Sequence, residues 1–138
     1  MISVSATDSN DAKASWSNYG YFVDVAAPGV SIWTTVKGGG YGAVSGTSFA
    51  SPVTAGVVAL MKAANPALSP ATLEQILEST AQDFGAAGWD TSYGYGRVNA
   101  AAAVQTAMQT QNIDSQAPSV SITSPASSNT VAGVTAVN

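Results

Sequence analysis

The sequence predicts an α/β protein in which short strands gather against a buried central helix, and three observations carry that prediction. Three or four short runs between residues 2 and 44 alternate apolar with small polar residues, the two-residue period of strands that bury one face. Val53 to Ala64 is apolar on every side with Lys62 as its only charge, whereas a surface helix keeps one polar face. At 138 residues, 46% hydrophobic and 9% charged, the chain has material for one sizeable core and little charge to keep a disordered segment solvated.

Ile2-Ser3-Val4-Ser5-Ala6 reads as the first strand. Thr7 to Gly20, rich in Asp, Asn, Ser and Lys, reads as a surface loop anchored by Trp16 and Tyr19. Phe22 to Ala27 is the second strand, closed by the turn-favouring pair Pro28-Gly29. Val30 to Thr34 alternates again, and Gly38-Gly39-Gly40 forms a flexible loop before Tyr41 to Val44. The central helix follows, with Thr47 or Ser48 as its cap, Pro52 near its first turn, and Asn65-Pro66 as its stop. A second helix starts at Ser69 as N-cap with Pro70 in the first helical position, and Leu73, Ile76, Leu77 and Thr80 mark one face. After a loop with Gly85, Gly88, Trp89 and Asp90, and the punctuation Gly94-Tyr95-Gly96, the alanine-rich run Val98 to Met108 is a third helix. Residues 109–117 are polar and unpatterned, as a linker would be. Residues 118–138 hold Val120-Ser121-Ile122-Thr123 and a second β-like run, the opening of an all-β module too short to close.

The formal net charge is −4, and Lys13, Lys37, Lys62 and Arg97 are scattered, which argues against nucleic acid and anionic membranes as partners. Nothing in the sequence points to an oligomer. There is no cysteine and no histidine. No apolar run approaches the roughly 18 residues of a membrane span, and the first residues lack signal-peptide order, so the chain reads as cytoplasmic or as lacking its true start. Gly38-x-Gly40-x-x-Ala43 imitates a dinucleotide fingerprint, but no helix opens behind it, so no cofactor is expected. Asp24 has no companion carboxylates in sequence and reads as an ordinary strand-end residue, not a metal ligand.

The motif that remains is Gly46-Thr47-Ser48-Phe49-Ala50-Ser51-Pro52. A small Gly-Thr-Ser turn feeding the first turn of a buried helix places a serine hydroxyl beside unpaired backbone N–H groups, an arrangement suited to a nucleophile and its oxyanion donors. A serine before a helix is more often a cap, and on Gly-Thr-Ser alone the cap is the better reading. The longer pattern Gly46-Thr47-Ser48-x-Ala50-x-Pro52-x-x-Ala55-Gly56 resembles the nucleophile motif of the subtilisin-like serine proteases, the subtilases. Its flanks Ile2 to Ala6, Asp24-Val25-Ala26-Ala27-Pro28-Gly29 and Tyr93 to Ala100 resemble the family's own segments in the family's order.

The resemblance covers residues 1–108. It implies the C-terminal portion of a subtilisin-like parallel-sheet, three-layer α/β fold with a buried central helix. Residues 118–138 separately resemble the start of an Ig-like module, a truncated β tail. The implied activity is hydrolysis of protein or peptide substrates through an acyl-enzyme on Ser48, in a secreted, extracellular enzyme. Gly46, Thr47 and the Ser48 backbone N–H would serve the oxyanion and the substrate. In the family the aspartate, the histidine and the oxyanion asparagine precede the nucleophile, so they are expected upstream of Met1. The 138 residues alone are therefore expected to be inactive, with part of the sheet edge and one side of the central helix exposed.

Lys62 cannot replace the histidine, because fourteen residues at about 1.5 Å each put it roughly 21 Å from Ser48. Asp83 and Asp90 belong to outer loops, and Glu74 and Glu78 read as solvated surface. Trp16, Trp33, Trp89 and Tyr95 read as packing groups at loop and core edges. The competing function is a non-catalytic protein, a decayed subtilase or secreted binding module that keeps the scaffold for adhesion.

Overall fold

The computed structural model describes residues 1–110, so the linker from residue 111 on and the expected β tail lie outside the described residues. Strands β1 (Val4–Thr7) and β2 (Val25–Pro28) pair in parallel, with Val4 opposite Val25 and Thr7 opposite Pro28. Ser5, Ala6, Thr7, Val25, Ala26 and Ala27 are all buried, as strands of a parallel sheet covered on both faces must be. The first two expected strands are displaced toward the C-terminus: a turn at residues 21 and 22 precedes β2, and Pro28 closes the strand rather than opening a solvent turn.

The sheet is wider than its named strands. Ala26 N–H donates to the Gly96 carbonyl (2.8 Å) and Val98 N–H to the Ala26 carbonyl (2.9 Å), so residues 96–98 lie parallel beside β2. Arg97 and Gln82 then exchange two backbone bonds of 2.8 and 2.9 Å as an antiparallel fourth row. Gly96 has φ +123°, and a Cβ there would run into the Gln82 carbonyl, so only glycine lets the fourth row close.

The other two strands form a hairpin of their own. β3 (Ile32–Val36) and β4 (Gly40–Val44) are antiparallel, with Ile32 opposite Val44 and Val36 opposite Gly40. The tip turns on Gly38 and Gly39, at φ +98° and +85° with open space around them. The alternation at Val30 to Thr34 thus marks a strand correctly, two residues early, and its partner is its neighbour in sequence.

Helix α1 (Thr47–Ala64) lies across β1 and β2 and against α3 (Ala100–Gln109), burying Ala50, Thr54, Val57 and Met61. These residues repeat at helical spacing, and the Thr54 hydroxyl is satisfied by the Ala50 carbonyl at 3.2 Å. Ala55, Ala59 and Leu60, on another side of the same helix, are exposed, as the sequence anticipates for this chain. A cavity of about 400 Å³ on the Ala55 side is lined by Ile2, Val4, Thr54, Ala55, Val58 and Leu73.

α2 (Pro70–Ser79) begins as the sequence predicts, with the Ser69 hydroxyl accepting the Thr72 N–H at 3.1 Å, and buries Leu73, Ile76 and Leu77. In α3 the cap is the Asn99 side chain, which accepts the Ala102 N–H at 3.1 Å. The Asn65 side-chain amide donates to the Ala107 and Thr110 carbonyls (3.1 and 2.9 Å), joining the C-terminal ends of α1 and α3.

Candidate active site

Ser48 is the second residue of α1 and is exposed, Thr47 is the first, and Gly46 is the N-cap. Neither Thr47 nor Ser48 caps the helix: Gly46 is extended (φ 164°, ψ 155°) and no side chain closes the end. The Gly46 carbonyl takes the Phe49 N–H at 3.0 Å and the Ala50 N–H at 3.4 Å. Among the described residues neither the Ser48 N–H nor its hydroxyl has a hydrogen-bond partner, so a free donor and a free hydroxyl sit together at the positive end of the helix. Had Ser48 been the cap, its oxygen would already be occupied.

Pro52 lies inside α1, one turn further along than the sequence suggests. It has no N–H for the Ser48 carbonyl four residues back, and its ring presses on that carbonyl, so the turn carrying Ser48 is set apart from the regular ladder.

Two hydrogen bonds fix this turn to the sheet. Gly46 N–H donates to the Gly29 carbonyl (2.8 Å), and Gly29 N–H donates to the Thr7 carbonyl (2.9 Å). Ser48 is thereby held at the carboxyl ends of β1 and β2, where open α/β sheets carry their sites. Alongside, Ser31 N–H donates to the Ser45 hydroxyl at 2.9 Å and closes the base of the hairpin. Ser31 has φ +55°, a left-handed backbone outside glycine that this bond helps to hold.

No ionisable side chain joins Ser48 among the described residues. Lys62 is engaged at the far end of α1, where Nζ donates to the Leu68 carbonyl (2.7 Å). Asp24, at the opposite end of β2 from Gly29, accepts the Ser3 N–H at 2.6 Å and ties the entry of β1 to that of β2. Asp83 accepts the Gly88 N–H at 2.8 Å, and Asp90 accepts those of Ser92, Tyr93 and Ala86 at 2.7, 2.8 and 3.0 Å, so both organise the loop before residue 96.

Glu74 and Glu78 are not freely solvated: both are half-buried. Burial first, then the charges of Glu74 and Asp24, raise the Glu78 carboxyl above its ordinary pKa. The aromatic expectation holds for Trp89, whose indole N–H donates to the Val23 carbonyl at 3.0 Å while the ring stacks on Tyr21 with centroids 5.9 Å apart. It fails for Trp33, which is 74% exposed on the hairpin. Gly29, read in sequence as half of a turn and as the end of a flanking segment, is given no part in the site there, and it is the residue that sequence reasoning missed. Its signal was a glycine placed directly after a strand of small residues, where a second backbone approaches.

Residues 1–96 match the sequence model of the family described as "Subtilase family". Alkaline elastase YaB of Bacillus sp. (strain YaB) is 43% identical over 104 residues, which are 75% of this chain and 27% of that protein. An extracellular protease of Xanthomonas campestris pv. campestris is 46% identical over 116 residues, covering 78% of this chain and 20% of the relative. Among solved structures, a protease of Pseudoalteromonas arctica PAMC 21717 superposes with a TM-score of 0.70 at 40% identity, covering 77% of this chain and 35% of the other. The chain thus spans well under half the length of each of these relatives.

Proposed function

The chain belongs to the subtilase family, and from that premise we propose that Ser48 is the nucleophile of a serine endopeptidase. The observation that carries the proposal is the free hydroxyl and adjacent free N–H of Ser48 at the start of α1, over the carboxyl ends of a parallel strand pair. In the reaction the Ser48 oxygen attacks the substrate carbonyl, and its proton passes to a base. The new oxyanion takes the Ser48 N–H, and collapse of the adduct expels the amine with that proton. Water then cleaves the acyl-enzyme by the same steps.

The 138 residues contain no histidine, so the base comes from sequence outside them, and by the family's chain order its carboxylate and the second oxyanion donor do too. We place the whole protein outside the cell, with protein or peptide substrates, and assign residues 1–108 to the catalytic domain and 118–138 to the start of an Ig-like module.

The test is chemical. A fluorophosphonate probe should label Ser48 in the protein extended upstream to include an aspartate motif and a His-Gly-Thr-His-type motif, and should leave the 138-residue chain unlabelled. Labelling of the short chain would show that the base lies within it. An intact gene without either upstream motif would instead favour the second reading, a non-catalytic scaffold, which the zero histidine count also suits.

A further inference from the structure

We propose that Gly29 is a positioning residue for Ser48, a spacer whose missing side chain sets how closely the nucleophile turn approaches the sheet; this rests on the nucleophile assignment above. Gly29 is buried, and it is the link in the hydrogen-bond series that runs from the Thr7 carbonyl, through the Gly29 N–H and carbonyl, to the Gly46 N–H. The Gly46 carbonyl continues the series into α1 through the Phe49 and Ala50 amides, the two that follow the free Ser48 N–H. Gly29 thus joins the end of β1 to the first turn of α1 through both of its own peptide groups, alongside the packing of α1 on β1 and β2.

A Cβ at Gly29 would meet the Ala6 Cβ at 2.7 Å, the Gly46 carbonyl oxygen at 2.9 Å and the Ala50 Cβ at 3.2 Å. Ala6 and Ala50 are both fully buried, so neither can swing aside. The two contact groups have different consequences. Contact with Ala6 pushes against β1 and is a packing fault. Contact with the Gly46 oxygen and with Ala50 pushes the first turn of α1, and Ser48 with it, away from the sheet. The backbone conformation of Gly29 is not in the left-handed region, so the demand for glycine here is one of space and not of φ.

The separation of the two contacts supplies the test. In the upstream-extended protein, Gly29→Ala should lower both the melting temperature and kcat. The double variant Ala6→Gly/Gly29→Ala, which removes the β1 contact and leaves the Gly46 and Ala50 contacts, should regain part of the melting temperature that Gly29→Ala loses. Its kcat and fluorophosphonate labelling rate should stay about tenfold to a hundredfold down, with KM for a short peptide within about twofold. If Gly29→Ala alone fails to fold, the double variant carries the measurement. A merely structural Gly29 predicts that rate returns with stability, and that result would overturn the proposal while leaving Ser48 labelled and the nucleophile intact. Absence of labelling in the parent protein would remove the nucleophile itself, and the positioning role with it.

Discussion

Ser48 derives its chemistry from what does not bind it. A hydroxyl that caps a helix is spent on the backbone, and here the cap position falls to Gly46, two residues earlier, so the Ser48 oxygen is left free for the role proposed for it. Ser48→Ala in the upstream-extended protein should therefore keep the fold and lower kcat on the order of 10⁶, the scale that loss of a serine nucleophile carries; melting temperature and burst kinetics check it. Glu78 behaves oppositely, as a residue whose charge is a liability. Its folded pKa lies above the unfolded one, so the folded state holds its proton more tightly, and stability falls as pH rises from the ordinary carboxylate range through the raised value. Glu78→Gln should then stabilise at neutral pH by about 0.5 kcal/mol or less, with the gain gone below about pH 4. Melting curves at the two pH values decide it, and a gain that persists in acid would mean that packing, not charge, is responsible. The sequence shows Ser48 plainly and Gly29 hardly at all. The proposed nucleophile announces itself through its neighbours in the chain, whereas Gly29 matters through Ala6, Gly46 and Ala50, which only folding brings to it.

Elements were legible where their signals are local. Ser69-Pro70 starts α2 because the hydroxyl and the fixed proline φ act within four residues, and the capped start follows. Pairing is not local. Residues 96–98 join the sheet as a third parallel row through Ala26, and nothing in Gly94 to Val98 has the length or alternation of a strand. That row depends on the loop before it, which Asp90 organises through three backbone N–H groups. Asp90→Ala leaves those donors to water and should cost about 1–2 kcal/mol in denaturant unfolding. Little or no loss would show that Trp89 and Tyr93 hold the loop without it.

Over the whole molecule, the described residues bury one core between α1, α2, α3 and the parallel strands while Ala55, Ala59 and Leu60 stay open to water. The α/β class and the centrality of α1 could be read from composition and period, but not which side of an all-apolar helix meets the sheet. That choice is made by the small residues of β1 and β2, which admit Ala50 and Val57 at close range. Leu60, 56% exposed, should make the 138-residue chain bind a hydrophobic dye, and Leu60→Gln should reduce that binding while changing stability by about 0.5 kcal/mol or less. With no histidine in the chain, any inflection near about pH 7 in the rate profile of the extended enzyme belongs to a group outside these residues. The hairpin offers a consequence of another kind. Ser31 and Ser45 are fourteen positions apart in sequence yet joined by one hydrogen bond of 2.9 Å, and among the described residues the strands between them pair with each other alone. A foreign hairpin of different length or aromatic content, spliced at those two serines, should therefore leave both joints where the turn carrying Ser48 needs them.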